Sequence, residues 1–276
     1  MRYLLVLLSP WLTGAFPPAL PLPPLRIAEQ FVAPAGWAAL KRYLCCEAAG
    51  QAKTQTLGQQ IPPRVARTCQ LVRQDSATAV VAVELRDSTS RRDFYLHFRR
   101  DSAGWKLGAI RNLAMTHLGP PMVALLAAMP PAEVAAYDRK HPEATHAFTL
   151  GNLRLWTSAD ADIAAHFHRQ QAEFEKLLHV LRQGGYLEAT KGVVTDEAAA
   201  NADPAVHALL RRLWLGRVTR AAPGCGSGLA FVIGGKNDST VGLLYQPEPA
   251  RLPAMHPDGL MVLRPLGEGW YLYKTA

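Results

Sequence analysis

The residues whose types and spacing suggest chemistry are few. His166 and His168 form an HxH pair, but on a helix they sit about 200° apart and cannot share one ion. His168, Glu175 and His179 fall on one helical stripe at offsets of seven and eleven residues, where they read as the polar flank of an apolar face and not as metal ligands. Gly224-Cys225-Gly226-Ser227-Gly228 looks like a phosphate loop, yet it precedes a strand and so has no helix N-terminus to supply the anion site. Gly234-Gly235-Lys236 lacks the Ser or Thr that a Walker loop places after its Lys. Cys225, His256 and Asp258 are the residue types of a thiol triad, but His256-Pro257-Asp258-Gly259 reads as a turn. None of these patterns predicts a catalytic centre, a cofactor or a metal.

The elements that would have to position such groups follow from periodicity. Trp37, Leu40, Leu44 and Ala48 predict an amphipathic helix over 36–49. Strands are expected over 65–73, 77–86, 92–101 and 105–111, separated by Asp/Ser/Gly turns. One face carries Val81, Val83, Leu85, Phe94, Leu96 and Phe98 and is expected to lie under the helix. Glu84, Tyr95 and His97 fall on the opposite parity, so the buried face holds no ionisable group and no acid or base for a pocket inside this layer. Cys69 shares the buried parity of its strand and Cys45 flanks the apolar face of the helix, which predicts a Cys45–Cys69 disulfide. Residues 119–150, punctuated by Pro120-Pro121, Pro130-Pro131 and Pro142, read as a linker with one or two short helices.

Residues 151–276 read as a second α+β domain. Thr157-Ser158-Ala159-Asp160 has the capping-box pattern, and Ile163, Phe167, Phe174, Leu178 and Leu181 form the stripe of one helix running to Gln183. A second helix opens at Asp203-Pro204. Strands at 229–233, 240–246, 260–264 and 269–274 then form antiparallel hairpins.

The order of helix, Tyr43-Leu44-Cys45, Ala79-Val80-Val81-Ala82-Val83, Tyr95-Leu96-His97-Phe98 and Gly104-Trp105-Lys106-Leu107 resembles the NTF2-like (cystatin-like) domains of exported bacterial proteins. The resemblance spans 26–118 and implies a helix laid on an antiparallel sheet. The segment from Ser158 to Leu178, the helix around Leu209 to Val218 and the ending Gly269-Trp270-Tyr271-Leu272-Tyr273-Lys274 resemble the C-terminal region of a group of uncharacterised exported bacterial proteins. That likeness implies shared architecture and no activity.

Met1-Arg2-Tyr3, the apolar run from Leu4 to Leu12 and Thr13-Gly14-Ala15 have the form of a signal peptide cleaved after Ala15, followed by a Pro-rich leader over 16–25. Ala15 stands where a lipobox needs Cys, so no lipid anchor is expected, and no apolar run is long enough for a membrane span. The net charge is +8, but the 22 Arg and 8 Lys are scattered in pairs, which argues against a nucleic-acid partner. The chain is therefore expected to be an exported, non-catalytic α+β module that binds a ligand or an envelope partner. Tyr95, His97, Trp270, Tyr271 and Tyr273 are its candidate contact residues, the last three as an exposed apolar patch. The competing expectations are a hydrolase or isomerase using Tyr95 and His97 or Cys225, and a structural or immunity-type partner protein.

Overall fold

A computed structural model describes residues 22–52, 55–113, 119–186, 197–220, 228–236 and 239–276. The expected signal peptide, most of the Pro-rich leader and Cys225 with its glycine loop lie outside the described residues. The protein is α+β, with two antiparallel sheets. Among the described residues no helix is long and apolar enough to cross a membrane.

The first sheet has strands β1 (Ala66–Gln74), β2 (Thr78–Arg86), β3 (Arg91–Asp101) and β4 (Gly104–Arg111) in the order β1-β2-β3-β4. The turns are set by Asx bonds: Asp75 accepts from the backbone of Ala77 and Thr78, and Asp87 from that of Thr89 and Ser90. The helix that covers this sheet is α1 (Pro24–Val32), which begins inside the stretch expected to be a loose leader. Pro24 suits the first helical turn, where its missing N–H costs nothing. Ile27, Ala28, Phe31 and Val32 form the buried stripe, against Ala79, Val81, Val83, Phe94, Leu96 and Phe98.

The helix expected over 36–49 is a correction. Residues Leu40–Tyr43 form a 3-10 turn, Leu44 is extended and bridges to Leu107 of β4, and a short helix α2 (Cys46–Gln51) follows. The Cys45 N–H donates to the Leu107 carbonyl at 3.0 Å, so pairing with an open sheet edge overrode the helical periodicity. A one-turn helix α3 (Leu57–Gln60), with a Thr56/Gln59 capping box, closes this part against α1.

The same edge pairing puts the Cys45–Cys69 bridge out of reach. Cys69 is on β1 at one edge of the sheet, and Cys45 lies beyond β4 at the other. Four strand spacings amount to about 19 Å along the sheet, against the roughly 7 Å that a disulfide tolerates between Cα atoms. Cys45, Cys46 and Cys69 are all free thiols.

The stretch 119–150 is mostly helical: α4 (Gly119–Ala127), α5 (Pro131–Lys140) and the first part of α6 (His146–Trp156), which runs through the expected boundary at 151. The single helix expected to end at Gln183 is two, α7 (Asp160–Arg169) and α8 (Gln171–Gln183), bent at Gln170. The apolar periodicity passes through the bend unchanged and so carried no sign of it. Two further helices, α9 (Glu197–Ala202) and α10 (Pro204–Arg212), precede the second sheet; Asp203 caps α10 as expected, accepting from Ala205 and Val206.

That sheet adds a short strand, β5 (Arg217–Arg220), to β6 (Leu229–Lys236), β7 (Ser239–Tyr245), β8 (Leu260–Gly267) and β9 (Trp270–Thr275), in the order β5-β6-β7-β9-β8. Helices α7, α8 and α10 cover one face. At its centre Trp270 is fully buried, with ring centroids 5.3 Å from Phe167, 5.7 Å from Phe174 and 5.1 Å from Phe231.

The two sheets share a core. Val80, Ala82 and Tyr95, on the face of the first sheet turned away from α1, pack with Ile163, Phe167 and Trp270 in one cluster. The first sheet is therefore buried on both faces, which corrects the expectation of a single buried parity.

Candidate ligand site at the junction of the sheets

Burying Tyr95 and His97 against the second half changes what they can do. Tyr95 is fully buried, and its hydroxyl donates to Asp160 Oδ1 at 2.8 Å. Asp160 is the first residue of α7. The expected capping box over Thr157–Asp160 does not form, since the N-cap is Ala159 with no side-chain cap; the Asp160 side chain turns into the junction, and its backbone N–H is met by Asp93 Oδ2 at 2.6 Å. Lys274 Nζ from β9 lies 2.7 Å from Asp160 Oδ1, and Arg264 from β8 lies 2.9 Å from Oδ2. Arg264 also donates to Gln70 on β1. Burial pushes the Asp160 carboxyl up, but Lys274, Arg264 and Tyr95 outweigh it and hold the group below the usual carboxylate range. Asp93 goes the other way: burial, then the neighbouring charge of Asp160, raises it to about 6. These groups clasp the two halves together. Asp93, Asp160, Arg264 and Gln70 border a small cavity of about 260 Å³ that also touches Glu84 and His168.

A larger cavity, about 460 Å³, opens on the same junction nearer to β4. Its floor is Ala79, Val80, Phe98, Gly108 and Ala109, and the loop carrying Met255, His256, Pro257 and Asp258 forms the opposite wall. Arg111 at the end of β4 ties these walls together. Its guanidinium donates to both carboxylate oxygens of Glu47 at 2.8 and 2.7 Å, to Asp258 at 2.6 Å and to the Pro257 carbonyl at 3.0 Å. Cys46 and Arg99 stand on the rim.

His97 also lines this cavity. It is 6% exposed, and its Nε2 is buried without a hydrogen-bond partner among the described residues. Burial, then the positive charge of Arg111, lowers its pKa to about 4. At neutral pH the ring is therefore uncharged, with one N–H and one lone pair. A buried polar atom left unpaired costs on the order of 1–3 kcal/mol.

The other expected site residues are placed differently. Trp270, Tyr271 and Tyr273 do not form an exposed patch. Trp270 is core, with its Nε1–H donating to Glu175 at 2.8 Å; Tyr273 is buried on the far face of the sheet with Ala230, Leu244 and Leu263, and Tyr271 packs beside it, half-buried. Strand alternation put Tyr271 and Tyr273 on one side, but that side is covered by the 252–255 segment. His256 and Asp258 do reach the cavity, in the company of His97. His166 faces inward, bonding to the Leu213 carbonyl and stacking on Trp214 at 5.1 Å, while His168 and His179 are exposed on different helices. Among the described residues no group of three or more His, Cys, Asp or Glu side chains could hold a metal ion.

No family model, curated protein or solved structure matches this chain. The reading of the site rests on its geometry.

Sequence reasoning missed Asp93, Asp160, Arg264 and Lys274. Two signals for them were present. Ala79-Val80-Val81-Ala82-Val83 is an unbroken apolar run, the mark of a strand covered on both faces. Lys274 shares strand parity with Trp270 and Leu272, both fully buried, and a lysine on that parity requires a carboxylate beside it.

Proposed function

We propose that this chain is an exported, non-catalytic binding module with an NTF2-like N-terminal half. Its junction cavity takes a small, largely apolar molecule with a hydroxyl or carboxyl head. The observation that carries this reading is the orphaned Nε2 of His97 beside an apolar-floored cavity. Small-molecule sites commonly enclose about 300–1,000 Å³ and combine apolar walls with a few polar groups, and this cavity has that character. A hydroxyl can donate to or accept from a neutral imidazole, so it satisfies either tautomer. Arg99 on the rim suits a carboxyl head.

The test is a panel of short aliphatic and aromatic acids and alcohols, followed by calorimetry and thermal shift on the full chain and on His97→Leu. Binding by the wild type that is lost in H97L, with H97L folded and at least as stable, supports the reading. Equal responses in both proteins, or none in either, would refute it. Turnover of a probe that disappears in H97L would assign the cavity to a hydrolase or isomerase instead.

A further inference from the structure

Cys45 and Cys46 bring their sulfurs together in a way that adjacent residues rarely do. Neighbouring side chains point apart on a strand and diverge by about 100° on a helix. Here Cys45 is extended (φ −146°, ψ 176°) and Cys46 has φ 54°, a left-handed conformation uncommon for a residue with a Cβ. The result is an S–H···S hydrogen bond of 3.0 Å between the two side chains. Both ends of the pair are anchored: Cys45 is bonded through its N–H to Leu107 on the sheet edge, and Cys46 starts α2. The Arg99 guanidinium donates to Cys46 Sγ at 3.4 Å. Cys46 is exposed on the rim of the larger cavity, and Cys45 is half-buried behind it.

We propose that Cys45 and Cys46 form a redox site that reduces small disulfides and itself closes to a vicinal disulfide on the cavity rim. The division of labour follows from the surroundings. The hydrogen bond shared with Cys45 favours the Cys46 thiolate; burial opposes it, and the contact and charge of Arg99 add to the favourable side, so the Cys46 pKa is lowered on balance. Cys45 is raised to about 11, by burial first and then by Cys46, so it stays a thiol until it is needed. In the first step the Cys46 thiolate attacks one sulfur of R–S–S–R. A Cys46–S–S–R bond forms, the R–S–S–R bond breaks, and RS⁻ leaves with the electron pair. The Cys45 proton goes to solvent. Cys45 then attacks the Cys46 sulfur, the Cys45–Cys46 bond forms, and the second RS⁻ leaves. Two protein thiols are oxidised and one disulfide is reduced to two thiols. The site is independent of the ligand proposed for the cavity and is tested without it.

The experiment uses the folded, reduced chain and one equivalent of dithiobis(nitrobenzoate). In the wild type each reagent molecule should release both of its coloured thiolates. The tryptic peptide from Tyr43 to Lys53 should then be lighter by two hydrogens and carry no adduct. Cys45→Ser should stop after one thiolate and keep a stable adduct on Cys46. Cys46→Ser should lose the fast phase, and Arg99→Ala should slow it about threefold with the same stoichiometry. A lasting mixed disulfide on wild-type Cys46, or faster reaction at Cys69 or Cys225, would overturn the proposal. Circular dichroism of each variant separates loss of reactivity from loss of fold.

Discussion

Lys274 and Asp160 meet at 2.7 Å with both side chains almost wholly excluded from water. They come from β9 and from the start of α7, and Tyr95 of β3 bonds the same carboxylate oxygen. Arg264 takes the other oxygen, and Asp93 supplies a second acid beside the pair. Two acids thus face two cations at the seam between the halves of the molecule. Such a cluster adds little to stability over well-packed apolar residues, but it strongly penalises loss of any one member.

Asp160→Ala should therefore destabilise the protein by about 3–5 kcal/mol, because Lys274 is left buried without its counter-charge. Adding Lys274→Met should recover part of that loss. Equilibrium urea unfolding of the two variants checks both statements. A double variant no better than the single would show that the carboxylate matters through Tyr95 or Arg264 instead.

Asp93 should make the protein less stable as pH rises. Its folded pKa is about 6, above the ordinary 3.8, so the native state holds this proton more tightly than the unfolded chain does. The resulting penalty is absent below about pH 4, grows between about pH 4 and 6, and is complete above that range. Asp93→Asn keeps an acceptor for the Asp160 N–H and removes the charge. Relative to the wild type it should gain about 1–2 kcal/mol at pH 8 and nothing at pH 4, read from denaturation midpoints at the two pH values.

His97 has the opposite pH dependence. Burial, then Arg111, lowers it to about 4, with His256 adding to the effect and Asp258 opposing it. Its stability contribution is whole above the ordinary value of 6.5 and is lost as pH falls towards 4, where the buried ring is forced to take a proton. The loss should approach about 3 kcal/mol in the wild type. His97→Leu should lack that slope and, at neutral pH, should be about 1 kcal/mol more stable for want of the orphaned nitrogen. Thermal melts from pH 4 to 7.5 on the two proteins give the comparison.

Local patterns determined much of this protein. Alternation placed all four strands of the first sheet and four of the five in the second, Asp203-Pro204 marked the start of α10, and the Asp75 and Asp87 turns were readable as turns. The α+β class followed from these alone, because side-chain period and turn chemistry are properties of a few adjacent residues. Which faces would be covered was decided elsewhere. Tyr95 and His97 lie on the parity that looked outward from α1, and only the second half of the chain turns that parity into an interior. Asp160 follows the same rule: in Thr157-Ser158-Ala159-Asp160 it holds the acidic last position of a capping-box pattern, and a carboxylate more than a hundred residues from Arg264 and Lys274 in the chain meets them only after folding. The fate of Cys45 was settled by the open edge of β4, which drew Leu44 and Cys45 into pairing and away from a helix. Periodicity describes one element at a time, whereas burial, charge pairing and pKa depend on what packs against that element.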